Sequence, residues 1–223
     1  MSHNHDVNNN QNHSFLPRDV QTLINIQKSE HKYTNILANP STNKRHILLL
    51  YEEQDDLDKA IVTYLNDGLA RGQLCIYVTF DTVKENCYGH SDLEIKDCQK
   101  NIAEGNLVMM NLTLYRQSIQ GGNMNPFEKL KKCLLEKVRK DKNIRVVEDC
   151  ALSLFKDGCF EHCADLENRW HQDPFSGSYV CPYPKSLFEK FPNEVFFSTL
   201  FYFHDVIIDC NGPEVTEYTN LRK

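Results

Sequence analysis

The stretch "HILLLYEEQDDLDKAIVTYLNDGLARG" (46–72) decides the fold. Residues 46–51 are a short apolar run of strand length, the kind that forms a strand buried on both faces. Glu52, Glu53, Gln54, Asp55 and Asp56 then make an acidic turn. From there Leu57, Ala60, Ile61, Tyr64, Leu65 and Gly68 recur at helical spacing, which predicts a helix over 55–70. Its acidic first turn suits the positive end of the helix dipole, and Gly72 is placed to close it as a C′ residue. A strand feeding a helix through a tight turn is where α/β proteins bind nucleotides. A phosphate loop needs glycines and a lysine there, and this turn has neither. Its carboxylates would repel a phosphate by roughly 4 kcal/mol per close pair at an effective dielectric near 20.

Working outward, the same alternation repeats. Apolar runs "LCIYVTF" (74–80), "LVMMNL" (107–112), "IRVVED" (144–149), "SYVCPY" (178–183) and "DVIID" (205–209) predict further strands. Helices are predicted within 91–103 and over 125–140, 160–171, 184–190 and 192–202. Such an order predicts an α/β fold, a three-layer mostly parallel sheet with helices on both faces and right-handed crossovers. Residues 17–40 read as an N-terminal helix, with Pro17 in its first turn, a partial stripe at Val20, Leu23, Ile24, Ile36 and Leu37, and a stop at Asn39-Pro40. The domain plan is a disordered polar tail (1–16), this helix (17–40), the α/β domain (41–211) and a C-terminal tail (212–223).

Composition narrows the partners. The net charge is −6, and neither nucleic acid nor anionic membrane is expected, because both need clustered Lys and Arg. The apolar run at 195–203 is too short to span a bilayer. Nine cysteines without a framework spacing, several inside apolar runs, point to a reducing cytoplasm. Homo-oligomerisation through helix 17–40 is compatible with its stripe.

In an open parallel sheet, ligands collect beyond the carboxyl ends of the strands. That rule selects Tyr51, Glu52, Asp81, Tyr115 and Asp149 as ligand-binding candidates. "IRVVED" resembles the strand-then-acid pattern that holds magnesium in ATPases, yet no phosphate loop accompanies it. Cys159, Cys163 and Cys181 are weak metal candidates; their spacing matches no zinc finger, and no metal or other cofactor is assigned. No nucleophile elbow or cysteine-protease signature occurs, so no catalytic residue is assigned. His204 reads as a packed or solvated helix-end residue, and Trp170 as core, with the lining of an apolar pocket as its lesser reading.

The opening stretch also resembles the MEDS domain, a sensory domain of methanogens, methylotrophs and the dichloromethane-responsive regulator. The matching residues are His46, Leu50, Tyr51, Glu52, Gly68, Leu69, Arg71, Gly72 and Tyr77. "LYRQSIQGGNMNP" (114–126), "ADLENRW" (164–170) and "YVCPYPKSLF" (179–188) are similar to later segments of that family. Where the family tends to have Gly-Glu after its fourth strand, this chain has Glu148-Asp149. The resemblance implies a RecA/KaiC-like core without a phosphate loop, acting as a stand-alone, non-enzymatic sensory domain in prokaryotic signal transduction. It would bind an unknown small molecule or a partner protein, with output through a separate kinase or transcription regulator. Two alternatives stay open: a divergent KaiC-like ATPase, and a cysteine- or zinc-based redox sensor.

Overall fold

The structure is a computed structural model and describes residues 26–32, 45–80, 94–137, 143–172, 177–190, 194–211 and 214–220. Its centre is an eight-stranded sheet. The chain runs β1 (Ile26–Lys32), β2 (Arg45–Tyr51), α1 (Gln54–Ala70), β3 (Leu74–Thr79), α2 (Cys98–Ala103) and β4 (Leu107–Asn111). It continues through a 3-10 turn (Thr113–Tyr115), α3 (Arg116–Gln120), α4 (Asn125–Lys137), β5 (Ile144–Glu148), α5 (Cys150–Lys156) and α6 (Phe160–His171). It ends with β6 (Gly177–Pro184), α7 (Lys185–Lys190), α8 (Glu194–Phe203), β7 (Val206–Asn211) and β8 (Glu214–Asn220). Among the described residues, no helix is long and apolar enough to cross a membrane.

The sheet order is β1-β8-β7-β2-β6-β5-β3-β4. The run from β7 to β4 is parallel, and β8 and β1 extend it as antiparallel strands at one edge. Side chains alternate across the sheet, so each strand feeds two cores. Ile47, Leu49 and Tyr51 pack with Leu57, Ile61 and Leu65 of α1. Leu48 and Leu50 face the other way, into a core with Phe127 of α4, Phe155 of α5, Leu166 and Trp170 of α6, and Phe197 and Phe201 of α8. The chain therefore covers one face while it moves toward β4 and the opposite face while it moves back. Right-handed crossovers require that change of face.

Two sequence readings are corrected at the sheet edge. Residues 26–32 form β1, not part of an N-terminal helix; the remainder of 17–40 lies outside the described residues. Residues 214–220, read as a tail, form β8, which pairs with β7 from Asn211↔Glu214 to Val206↔Thr219 and with β1 along its other side. The β1 segment "IQKSEHK" has weak intrinsic preference of either kind, so an available hydrogen-bonding partner decides its conformation. Its high charge also suits an edge position. Helix α5 was not read from the sequence, because "CALSLFK" is buried at six of its residues and offers no polar stripe to reveal a helical period.

The opening strand–turn–helix is as expected. Gly72 adopts φ 68° and closes α1. Gly68 is required for a different reason: a Cβ there would lie 2.6 Å from Arg145 Cδ and 2.7 Å from Cys75 Sγ. The buried Arg145 guanidinium runs past that glycine to Asp67 Oδ2 (2.6 Å), Tyr64 O (2.7 Å) and Gln73 Oε1 (2.6 Å).

Candidate functional site

Of the five residues that the sheet rule selects, Tyr51, Glu52 and Asp149 stand at the carboxyl ends of β2 and β5. Tyr51 ends β2 and is almost fully buried. Its phenol is pushed up to about 12, first by burial and then by the nearby Asp149 and Asp58 carboxylates. Asp149 follows β5, where its Oδ2 accepts a hydrogen bond of 2.8 Å from the Tyr77 hydroxyl. Asp58, on the first turns of α1, is buried and accepts a hydrogen bond from Gln54 at 2.8 Å. Tyr51, Asp58 and Asp149 thus share one electrostatic environment.

A cation missing from the sequence reading completes this edge. Lys185, the first residue of α7, is only 5% exposed, and its ammonium ion pairs with Asp209 of β7. The same Nζ lies 3.3 Å from Glu52 Oε1 in the acidic turn. Asp209 remains raised from the ordinary carboxylate value, because burial outweighs the lysine's opposing effect. Lys185 is the point where β6 hands over to α7, and its side chain reaches past the end of β2 to Asp209 of β7. Lysine in "YPKSLF" carries no local sign of that placement, since the pairing β2·β6 and β2·β7 creates it.

The other candidates separate. Tyr115 is half-exposed on the 3-10 turn beyond β4. Strands β6, β5 and β3 lie between β4 and β2, roughly 19 Å of sheet at the usual strand spacing. Tyr115 thus follows the parallel strand that lies farthest from β2. Asp81 lies outside the described residues.

A second cluster lies in the interior, on the face covered by α4 to α8. His46 near the start of β2, Glu167 of α6, Cys181 of β6 and His204 just after α8 place their ligand atoms within 4.8 Å of one another. All are buried. His46 Nε2 is 3.1 Å from Glu167 Oε2 and 3.2 Å from Cys181 Sγ. His204 Nε2 is 3.5 Å from the same carboxylate oxygen. The imidazole rings of His46 and His204 lie 4.0 Å apart, centroid to centroid.

The backbone fixes both tautomers. His46 Nδ1 is 3.0 Å from Phe203 O, and His204 Nδ1 is 2.7 Å from Leu200 O. A carbonyl oxygen only accepts, so each Nδ1 carries the proton and donates it. Burial and the adjacent His46 lower His204 to about 3, which keeps its ring neutral and leaves Nε2 as a lone pair. Glu167 is also oriented from behind: the Tyr183 hydroxyl donates to its Oε1 at 2.6 Å.

Of the three cysteines considered as metal ligands, only Cys181 joins this cluster. Cys163 is one contact removed, 3.3 Å from the Tyr183 hydroxyl, and Cys159 caps α6 with its thiol directed at Asp157 O. His46, Glu167 and His204 went unrecognised as a set. They come from four distant segments with Cys181, and linear spacing has no sign of them. The single sequence-level cue was a histidine opening an otherwise apolar strand. Trp170 is core, packed edge-on against Phe127 at 5.1 Å.

Comparison with known proteins follows this geometry. A family model described as "MEthanogen/methylotroph, DcmR Sensory domain" (MEDS) matches residues 45–198. Among solved structures, the chain is similar to a KaiC-like protein from the hyperthermophilic archaeon Pyrococcus horikoshii OT3, at 13% identity and a TM-score of 0.48, over 74% of this chain and 70% of that one. It is also similar to the flagellar accessory protein FlaH from Methanocaldococcus jannaschii, at 9% identity and a TM-score of 0.43, over 80% and 78% of the two chains. No curated protein sequence matches the chain.

Proposed function

We propose, from the premise that the chain belongs to the MEDS family of sensory domains, that it is a non-enzymatic ligand-binding module whose site is the carboxyl edge of the sheet. The observation that carries this reading is the arrangement of Glu52, Lys185 and Asp209. At the position where an α/β nucleotide site offers backbone amides and a free lysine to phosphate, this edge offers a carboxylate turn and a lysine engaged by two carboxylates. An anion entering there would meet Glu52, Asp58 and Asp149. A small neutral or cationic molecule would not, and the Tyr51 ring and hydroxyl beside those carboxylates suit such a ligand.

Ligand binding would be read by a separate signalling protein, a kinase or transcription regulator, in the cytoplasm. Thermal-shift screening of neutral and cationic metabolites tests the proposal. It expects a stabilising ligand whose effect is lost in Tyr51→Ala. Ligands that stabilise both proteins equally would refute the placement. Equilibrium dialysis with ATP and magnesium addresses the rival ATPase reading: tight, saturable nucleotide binding would overturn the exclusion of phosphate.

A further inference from the structure

The interior cluster is not used by a site at the sheet edge, and its geometry asks for something at its centre. Three atoms able to ligate a cation converge: His46 Nε2, His204 Nε2 and Glu167 Oε2. Each of these groups spends its other polar atom elsewhere, on Phe203 O, Leu200 O and the Tyr183 hydroxyl respectively. Neither Glu167 Oε2 nor His204 Nε2 makes a hydrogen bond, although both are buried. Buried polar atoms left without a partner cost stability, and a cation held between them removes that cost. Cys181 Sγ closes the set as a fourth ligand atom.

We infer that His46, Glu167, Cys181 and His204 form a closed four-coordinate site for a divalent transition-metal ion of the zinc class. The donor types are those zinc takes, imidazole nitrogen, thiolate sulfur and carboxylate oxygen. Tetrahedral bonds of the usual lengths put ligand atoms roughly 3.3–3.8 Å apart. The three separations of 3.1, 3.2 and 3.5 Å are near that range before any ion draws them into place. The charge also balances. Glu167 and a Cys181 thiolate supply two negative charges against two positive ones, so the loaded site is neutral inside a low-dielectric core. Hydrogen bonds from each histidine to a backbone carbonyl, and from Tyr183 to the carboxylate, are the outer contacts that orient metal ligands.

With every ligand buried, the centre has no solvent-facing position. It is therefore a structural centre and does not activate water. It ties β2, α6, β6 and the segment after α8 through a single point. This inference rests on none of the residues assigned to the sheet-edge ligand, so either can fail without the other.

The test uses the full chain, stripped with chelator and titrated with Co²⁺ alone, then with Zn²⁺ as competitor. The expected result is one ion per chain, visible absorption of four-coordinate intensity, and a near-ultraviolet sulfur-to-cobalt charge-transfer band. The sequence has no cysteine before Cys75, so the segment that carries His3, His5 and His13 brings no sulfur ligand of its own to such a band. Cys181→Ser abolishes the band, Cys163→Ser retains it, and Tyr183→Phe weakens binding by about 10-fold or more. Absence of a thiolate band in the wild-type chain, or its survival in Cys181→Ser, overturns the proposal. X-ray absorption at the zinc edge of the wild-type protein is independent of whether the variants fold. One sulfur with nitrogen and oxygen neighbours supports the site, and a shell without sulfur rejects it.

Discussion

His46 and Glu167 face each other at 3.1 Å with neither side chain reaching solvent. Glu167 also receives the Tyr183 hydroxyl on its second oxygen. Removing Glu167 leaves the buried Tyr183 hydroxyl without its acceptor. Glu167→Ala is expected to lower stability by about 1–3 kcal/mol. Urea unfolding measures it. A loss below 1 kcal/mol would mean that the carboxylate supports nothing in the core.

Lys185 has two carboxylate partners in unequal environments. Asp209 is 7% exposed on its side chain and Glu52 is 63% exposed. Lys185→Met leaves the buried Asp209 without its cation and should cost about 3–5 kcal/mol. Glu52→Ala removes only a screened contact, and its effect should stay within about 1 kcal/mol. Equal effects from the two substitutions, measured by denaturant titration, would contradict this ranking.

Gly68 leaves room for Arg145. A methyl group there collides with Arg145 Cδ and Cys75 Sγ, both inside the core. The arginine is held by three hydrogen bonds and has little freedom to withdraw. Gly68→Ala should therefore destabilise by about 1–3 kcal/mol despite its higher helix propensity. A gain in melting temperature would show that Arg145 moves freely.

Alkaline pH should weaken the fold in a defined window. Burial pushes Tyr51 from 10.0 up to about 12, and it pushes Cys75 and Cys210 from 9.0 up to about 12. The unfolded chain releases these protons first. The stabilising effect is thus complete below pH 9 and is lost as pH rises through 12. Melting temperature measured from pH 7 to 11 should hold and then fall, with a shallower fall above pH 10 in Tyr51→Phe. A flat profile to pH 11 would show that these groups are not desolvated.

Thiol accessibility separates the redox-sensor alternative. Cys133 is exposed and Cys159 half-buried, whereas Cys75, Cys150, Cys163, Cys181 and Cys210 are buried. Among these seven cysteines, alkylation of the native protein, mapped by peptide, should label Cys133 and Cys159 first. Early labelling of Cys163 or Cys181 would instead favour a thiol that opens to solvent.

The strand–turn–helix at 46–72 was legible because its information is local. An apolar run, an acidic turn and a 3.6-residue stripe each lie within a few residues, and the parallel sheet follows from their repetition. The same local reading excluded a phosphate loop. It also overreached at residues 26–32, where a partial apolar stripe on either side suggested a continuous helix and pairing with β8 made a strand. It passed over α5, whose all-round burial erases the stripe.

What the sequence by itself determined is the α/β architecture, the acidic carboxyl edge and a turn without the glycines and lysine of a phosphate loop. All of these are set by patterns shorter than a helix. Only the tertiary structure decided that Lys185 pairs with Glu52 and Asp209, that the strand before Tyr115 lies several strands from β2, and that His46, Glu167, Cys181 and His204 meet. The physical reason is that strand order is not chain order. β2 lies between β6 and β7, so residues near 46, 181 and 204 become neighbours through sheet pairing, and α6 packed over that pairing adds Glu167. Nothing in their spacing along the chain encodes that distance.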